Sequence, residues 1–162
     1  MPLSKARATD DPSDARLLSP VFHRNAPPLI AALAHWVSDR AGPVVEIGCG
    51  TGQHAASFRL AFLALDWIAS DPDPDHRASA RAWAAEHGLD PAPVLDIDAG
   101  ADWTESAEIA AFGPLTAVIS LNVIHIAPIS VARGIVRGAA PRLPTPCEDR
   151  KSGSAGMPRP MR

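Results

Sequence analysis

The chain has 162 residues, 46% of them hydrophobic, and a formal net charge of −3. This is the size and composition of one globular domain, and the small negative charge gives no broad positive surface for nucleic acid or acidic lipid. Two cysteines, Cys49 and Cys147, fit neither a disulfide framework nor a paired-cysteine metal site. No stretch approaches the ~20 apolar residues that span a bilayer. We therefore expect a cytoplasmic protein with a small-molecule ligand and no metal, membrane or nucleic-acid partner.

The two ends of the chain differ in composition from its middle. Residues 1–16 are polar, and we expect them to form a flexible N-terminal segment. Residues 142–162 hold five basic and two acidic side chains among prolines, glycines and serines, a composition typical of a disordered tail. The globular domain is therefore predicted to span residues 17–141.

Apolar patterns between these ends predict one helix followed by four strand-and-helix units. The first helix has Pro27 and Pro28 in its first turn and ends near Val37. The strands are predicted at 44–47, 67–69, 94–95 and 116–121. The later helices are predicted at 54–63, from a cap at Asp75 to Gly88, at 105–112 and at 129–140. This alternation is typical of an α/β fold with a parallel sheet and helices on both faces.

The segment Glu46-Ile-Gly-Cys-Gly-Thr-Gly52 follows the first strand, where open α/β sheets bind ligands. Its alternating glycines, Gly48, Gly50 and Gly52, let the backbone approach a ligand closely. A dinucleotide fingerprint would have its third glycine at position 53, where this chain has glutamine, so the pattern disfavours NAD. The segment resembles motif I of class I methyltransferases. That resemblance implies that the loop holds the methionine part of S-adenosylmethionine, with Glu46 at the end of the strand.

Acidic residues also end the second and third predicted strands. Asp71 stands where a carboxylate can accept both hydroxyls of an adenosyl ribose, although the Pro-Asp run around it would also form a turn and a helix cap. Asp96 matches the acidic residue that class I methyltransferases use at the adenine amino group, with the backbone of Ile97 beside it. The alternative for Asp96 is a solvated loop aspartate.

Asn122 and His125 are the polar exceptions at the end of the fourth predicted strand, where this fold positions the methyl acceptor. Methyl transfer from a sulfonium needs an aligned nucleophile, and a base if that nucleophile carries a proton. His125 is the candidate base. A core histidine bonded to the backbone is the other interpretation.

Five stretches within residues 17–141 carry a resemblance to one known family: 19–25, 46–54, 70–77, 95–103 and 122–128. They are similar to the methyltransferase-like proteins of the domain of unknown function 938 family, called methyltransferase-like 26 in animals. The resemblance implies a class I fold that binds S-adenosylmethionine, but it brings no acceptor, because the family's substrate is not established. Arg24 and Asn25 would cover the cofactor pocket or only begin the first helix.

The chain departs from this family after Ala140. Family members continue through a Pro-Gly-Gly turn into a fifth strand and a final hairpin, and residues 141–162 offer neither. We therefore expect a Rossmann-like class I methyltransferase fold with strand order 3-2-1-4 that lacks the last three strands, as a frameshift or a shortened gene would produce. The alternative is a genuine, evolved basic tail. The unpaired fourth strand would then favour self-association.

The predicted function is S-adenosylmethionine-dependent methyl transfer to an unknown small-molecule acceptor. One alternative is a non-enzymatic remnant that binds the cofactor without turnover. A further alternative is a nicotinamide-dependent oxidoreductase, against which the displaced third glycine argues.

Overall fold

A computed structural model describes residues 6–103 and 106–144 and shows the predicted alternation of helices and strands. The strands are β1 (Gly42–Ile47), β2 (Leu65–Ser70), β3 (Val94–Leu95) and β4 (Ala117–Ser120). The helices are α1 (Phe22–Val37), α2 (Gln53–Ala61), α3 (Pro74–Glu86), α4 (Ala107–Ala110) and α5 (Ile129–Ala139). Each predicted strand therefore occurs at its predicted place, within a few residues.

The four strands form one parallel sheet in the order β3-β2-β1-β4, which confirms the α/β fold and the strand order predicted from the sequence. Ile47 pairs with Ser70 on one side and with Ser120 on the other, and Ser70 pairs with Leu95. These four residues form a row across the carboxyl edge of the sheet. Every loop that follows a strand therefore leaves from the same edge, where open α/β sheets bind ligands.

Hydrophobic cores lie on both faces of the sheet, because successive side chains of a strand point to opposite faces. Val44 and Trp67 belong to the core that α1, α2 and α3 cover. Val45 and Ile68 belong to the core that α4 and α5 cover. Both central strands are thus buried on both faces, as parallel strands usually are.

The first helix begins earlier than predicted. It starts at Phe22, and Pro27 and Pro28 lie inside it rather than in its first turn. Both prolines are exposed, so the carbonyl groups that lose a helical partner can bond to water. Burial of Ala26 and the contact between the Phe22 and His54 rings keep the first turns against the domain.

The cap of α3 is also different from the prediction. Asp73, not Asp75, is the N-cap, and its carboxylate accepts the Asp75 backbone N–H at 2.9 Å. Pro74 occupies the first helical position, where its fixed φ angle fits and its missing N–H has no cost. The capping residue therefore had to precede this proline.

The described parts of the chain ends pack against the domain. Residues 6–18 form a short hairpin, with the Ala8 N–H donating to the Arg16 carbonyl and the Leu18 N–H to the Ala6 carbonyl. The apolar pattern of the sequence did not predict this hairpin. At the other end Leu143 packs against the core beside α5, and residues 145–162 of the predicted tail lie outside the described residues. No helix in the described ranges is long and apolar enough to cross a membrane.

Candidate cofactor site

The glycine loop, residues 48–52, joins β1 to α2 and is fastened to the end of β2. The N–H groups of Gly48 and Cys49 both donate to the Ser70 carbonyl, at 2.9 and 2.8 Å. Ser70 also donates its hydroxyl hydrogen to the Glu46 carbonyl at 2.7 Å and is fully buried. The loop therefore turns back over β2 instead of continuing outward from β1.

Each glycine of the loop has a left-handed backbone, with φ of 75° at Gly48, 55° at Gly50 and 78° at Gly52. A Cβ at Gly52 would overlap the backbone of Ala80 in α3, so this glycine permits close packing of the loop on α3. A Cβ at Gly50 would meet no atom within 4 Å. The backbone of Gly50 thus borders open space, which is the geometry that a ligand approaching the loop requires.

Asp71 follows β2 directly and forms the centre of the site. Its carboxylate accepts the Gly50 N–H at 2.9 Å and the Asp73 N–H at 2.9 Å, and one oxygen lies 3.1 Å from Nδ1 of His76. The residue is only 6% exposed. Asp71 therefore ties the glycine loop to the first turn of α3 and places a carboxylate beside the open backbone of Gly50.

Asp96 and Ile97 follow β3 at the same edge of the sheet. The Asp96 side chain is 64% exposed and lies 3.1 Å from the Arg77 guanidinium, so it is a solvated aspartate with an ion-pair partner. Arg77 also donates to the Asp71 carbonyl at 2.8 Å, which links the ends of β2 and β3. The Ile97 side chain is buried in the core beside α4 and α5, so only its backbone can face a ligand at this edge.

Glu46 lies apart from the open side of the loop. It is 2% exposed, and its carboxyl group accepts a hydrogen bond from the Trp67 indole N–H at 2.7 Å. Burial raises the pKa of this carboxyl to about 7, despite the opposing effect of the Trp67 bond. The structure therefore shows Glu46 joining β1 to β2 inside the core.

Cys49 is a second buried group of the loop. Burial raises the pKa of its thiol well above the usual range, so the protonated form is favoured and the group is a poor nucleophile. Within the described ranges, no three His, Cys, Asp or Glu side chains come together as a metal site would require.

Asn122 and His125 lie beyond β4 at the same edge. Both are exposed, and Asn122 has a left-handed backbone with φ of 59°, which asparagine tolerates better than most residues. The exposure of His125 excludes the interpretation of a buried core histidine. The turn after β4 is closed by N–H groups of Ile126 and Ala127, which both donate to the Val123 carbonyl. The turn thus presents His125 to solvent on the side of β1 opposite Asp71.

The sequence did not single out several residues that shape this site. Ser79 bonds to the glycine loop, Gln53 bonds to the chain before α1, and Arg77 bonds to the backbone at the end of β2. Ser79 carried a detectable signal, since it is a polar residue four positions before Trp83 on the apolar side of a predicted helix. Gln53 carried none, because its partner is a backbone N–H distant in sequence.

Two clefts of about 420 and 380 Å³ lie elsewhere, between α2 and the segment before β3. Arg59, Trp67 and Leu89 line both of them. Neither is lined by the glycine loop or by Asp71. The candidate site is therefore an open edge of the sheet and not one of these clefts.

This fold is the one found in S-adenosylmethionine-dependent methyltransferases. The chain is similar to a methyltransferase named SibL in its apo form, at 19% identity and a TM-score of 0.60, over 76% of this chain and 33% of that one. TrmN from Thermus thermophilus matches at 22% identity and a TM-score of 0.55, over 72% of this chain and 34% of that one. The glycopeptide N-methyltransferase MtfA, solved with S-adenosylmethionine, matches at 20% identity and a TM-score of 0.56, over 72% of this chain and 49% of that one.

The chain belongs to the family described as protein of unknown function (DUF938), whose sequence profile matches residues 16–147. This confirms the resemblance to the domain of unknown function 938 family, and the likeness to the animal methyltransferase-like 26 proteins and the missing strands stay predictions. The chain spans between about a third and a half of the length of the three solved structures named above.

Proposed function

We propose that the chain binds S-adenosylmethionine at the carboxyl edge of β1, β2 and β3, and that the protein transfers its methyl group to a small-molecule acceptor. The observation that carries this proposal is the pair formed by Gly50 and Asp71, 2.9 Å apart. An open backbone and a carboxylate meet there at the strand ends. The S-adenosylmethionine-dependent neighbours of the same fold support the choice of cofactor.

The residues at this edge of the sheet suit a ligand that joins an amino acid to an adenosine. Gly48, Gly50 and Gly52 would lie along its methionine part, and Asp71 would accept the ribose hydroxyls. Asp96, with the Ile97 backbone beside it, would meet the adenine amino group. The Asp71 carboxylate has about four lone-pair positions and three are in use, so one is free for a ribose hydroxyl, and accepting the second hydroxyl would displace one of the present bonds.

A sulfonium cofactor supplies an electrophilic methyl group, so the protein has mainly to align the acceptor. Asn122 would orient the acceptor, and His125 would take its proton where it carries one. The exposure of both side chains supports this role, since an acceptor arriving from solvent can reach them. Binding of the cofactor without turnover would favour the alternative of a non-enzymatic remnant.

Calorimetric titration with S-adenosylhomocysteine tests the cofactor assignment. We expect Asp71→Ala to weaken binding at least tenfold, because hydrogen bonds to a charged group contribute about 1.5–3 kcal/mol each. Asp66→Ala is the matched control, since Asp66 is an exposed aspartate near the opposite end of β2. Asp71→Asn keeps the shape of the side chain and separates loss of charge from disturbance of the loop.

Equal affinity of Asp71→Ala and the unmodified chain would refute the ribose assignment. A parallel titration with NADH tests the oxidoreductase alternative. Tight NADH binding with no binding of S-adenosylhomocysteine would overturn the proposed function itself.

A further inference from the structure

One buried hydroxyl joins two segments that are far apart in the sequence. The Ser79 hydroxyl donates to the Thr51 carbonyl of the glycine loop at 2.7 Å and accepts the Leu17 N–H at 2.8 Å. Ser79 is fully buried. Its single hydrogen and one of its lone pairs are thus both used, so the loop and the chain before α1 are held by the same atom.

Other side chains fasten the same two segments. The Ser19 N–H donates to Oε1 of Gln53, the first residue of α2, at 2.6 Å. The Trp83 indole N–H donates to the Leu17 carbonyl at 2.9 Å, and the Arg16 guanidinium lies 5.3 Å from the centre of the Trp83 ring. We call residues 16–19 the N-terminal strap. It is bonded to the beginning of α2 on one side and to α3 on the other.

The strap also leads directly into α1 and places its first turn. Three residues after it, the Phe22 ring lies edge-on to His54 in the first turn of α2, with ring centres 5.1 Å apart. Arg24 and Asn25 follow in the first turn of α1. The strap therefore holds the start of α1 beside the start of α2, next to the glycine loop.

We propose that Ser79 and Gln53 are positioning residues for the cofactor site, which hold the glycine loop in its binding conformation by fastening it to the N-terminal strap. The loop has three glycines in five positions, and because glycine has more backbone freedom than any other residue, such a loop keeps one conformation only where its surroundings hold it. This inference rests on the proposed function for its ligand, but the coupling between strap and loop is a property of the chain alone.

Two variants test the coupling from opposite ends. Ser79→Ala removes the shared hydroxyl and leaves the Leu17 N–H and the Thr51 carbonyl without it. Trp83→Phe removes only the bond to the Leu17 carbonyl, so it loosens the strap without touching the loop. Ser38→Ala is the matched control, because its hydroxyl bonds only within α1, to the Ala34 carbonyl at 2.6 Å.

Hydrogen exchange and cofactor titration are measured together on these proteins. In Ser79→Ala we expect the Leu17 and Gly50 amides to exchange about five- to thirtyfold faster, as the loss of one or two buried bonds predicts. The affinity for S-adenosylhomocysteine should fall by a similar factor. Trp83→Phe should produce the same changes at a smaller size, and Ser38→Ala should change none of them.

The outcomes separate this inference from the proposed function. Faster exchange at Leu17 with unchanged exchange at Gly50 would overturn the coupling, as would unchanged affinity in both variants. Trp83→Phe also shrinks the ring that Arg16 and His87 contact, but it keeps the hydroxyl of Ser79 and every bond of the glycine loop, so it decides the matter even where Ser79→Ala fails to fold. An unmodified chain that binds no S-adenosylhomocysteine would refute the proposed function, and exchange at Gly50 alone would then decide whether the strap holds the loop.

Discussion

The two sides of β1 differ in how their functional groups are held. Toward β2, Asp71 is buried, the glycine loop is half-buried or buried, and the two are joined by a continuous set of hydrogen bonds. Toward β4, all strand residues are only half-buried, and Ile124, His125 and Ile126 are exposed. The hydroxyl of Ser120 is buried there, with no hydrogen-bond partner among the described residues. The proposed cofactor side, toward β2, is thus held by hydrogen bonds within the domain, whereas the proposed acceptor side, toward β4, is exposed.

The largest loss of stability should come from placing a side chain where the glycine loop packs closely on α3. Gly52→Ala combines a left-handed backbone with overlap of the Ala80 backbone, and we expect it to lower the free energy of unfolding by at least about 4 kcal/mol. Gly88→Ala is the control, because Gly88 also has a positive φ, of 64°, but a Cβ there meets nothing within 4 Å. Gly88→Ala should lower the free energy of unfolding by only about 1–2 kcal/mol. Equal losses in urea denaturation would show that the contact with α3 is not tight.

Glu46 gives the cofactor side a pH dependence of stability. The pKa of about 7 in the folded state exceeds the usual value of 4.5 for this carboxyl, so the folded state binds the proton more tightly than the unfolded state does. This contribution is fully present below pH 4.5 and is lost as the pH rises through 7. Glu46→Gln should abolish it and make the chain up to about 3 kcal/mol more stable than the unmodified chain at pH 8.

The measurement is denaturant unfolding of both proteins across this pH range. Their difference is needed because burial also lowers the pKa of His54, which acts in the opposite direction as the pH rises. A constant difference between the two proteins at all pH values would show that the carboxyl of Glu46 is ionised with an ordinary pKa in the folded chain.

On the acceptor side we propose that β4 pairs with a second copy of the chain. Among the described strands β4 pairs only with β1, and its sequence contains no charge or proline to protect the free edge. A lysine in the strand, Val118→Lys, should weaken association at least about tenfold, which corresponds to a loss of roughly 1.4 kcal/mol in the free energy of association. Leu63→Lys, at an 84% exposed position before β2, is the control. A chain that stays monomeric by light scattering at all concentrations would refute this proposal.

The smallest effects are expected at the acceptor residues themselves. His125→Ala and Asn122→Ala should change the affinity for S-adenosylhomocysteine less than about twofold, because both residues are exposed beyond β4, on the side of β1 opposite Asp71. Methyl transfer should fall in the same variants once an acceptor is known. A large loss of cofactor affinity in either variant would extend the cofactor site across β1.

Patterns within a few residues of one another predicted most of this fold. The alternation of apolar runs predicted the parallel α/β sheet, the resemblance to class I methyltransferases supplied the strand order, and the glycine loop lies where β1 ends. The errors are local conflicts: Pro27 and Pro28 are tolerated within α1 because they face solvent, and Pro74 moved the cap of α3 from Asp75 to Asp73. In each case a proline decided the helix boundary, and its effect depended on exposure or on the residue before it.

Long-range bonds could not be predicted in this way. Leu17 and Ser79 are 62 residues apart, and their bond exists only because the strap crosses α3. The partner of Glu46 is likewise set by the register between β1 and β2, which places Trp67 opposite Val44. The sequence therefore predicted which residues follow each strand, while packing between elements determined the partners of each side chain.

The order β3-β2-β1 also means that the cofactor side is made from one continuous run of chain. The strands and the loops after them lie between Gly42 and Ile97, and their neighbours in the sheet are neighbours in sequence. During synthesis, chains emerge at about 5–20 residues per second. Every residue of β1, β2 and β3 is therefore made before those of β4, and the bond between the glycine loop and Asp71 needs no residue after Ile97.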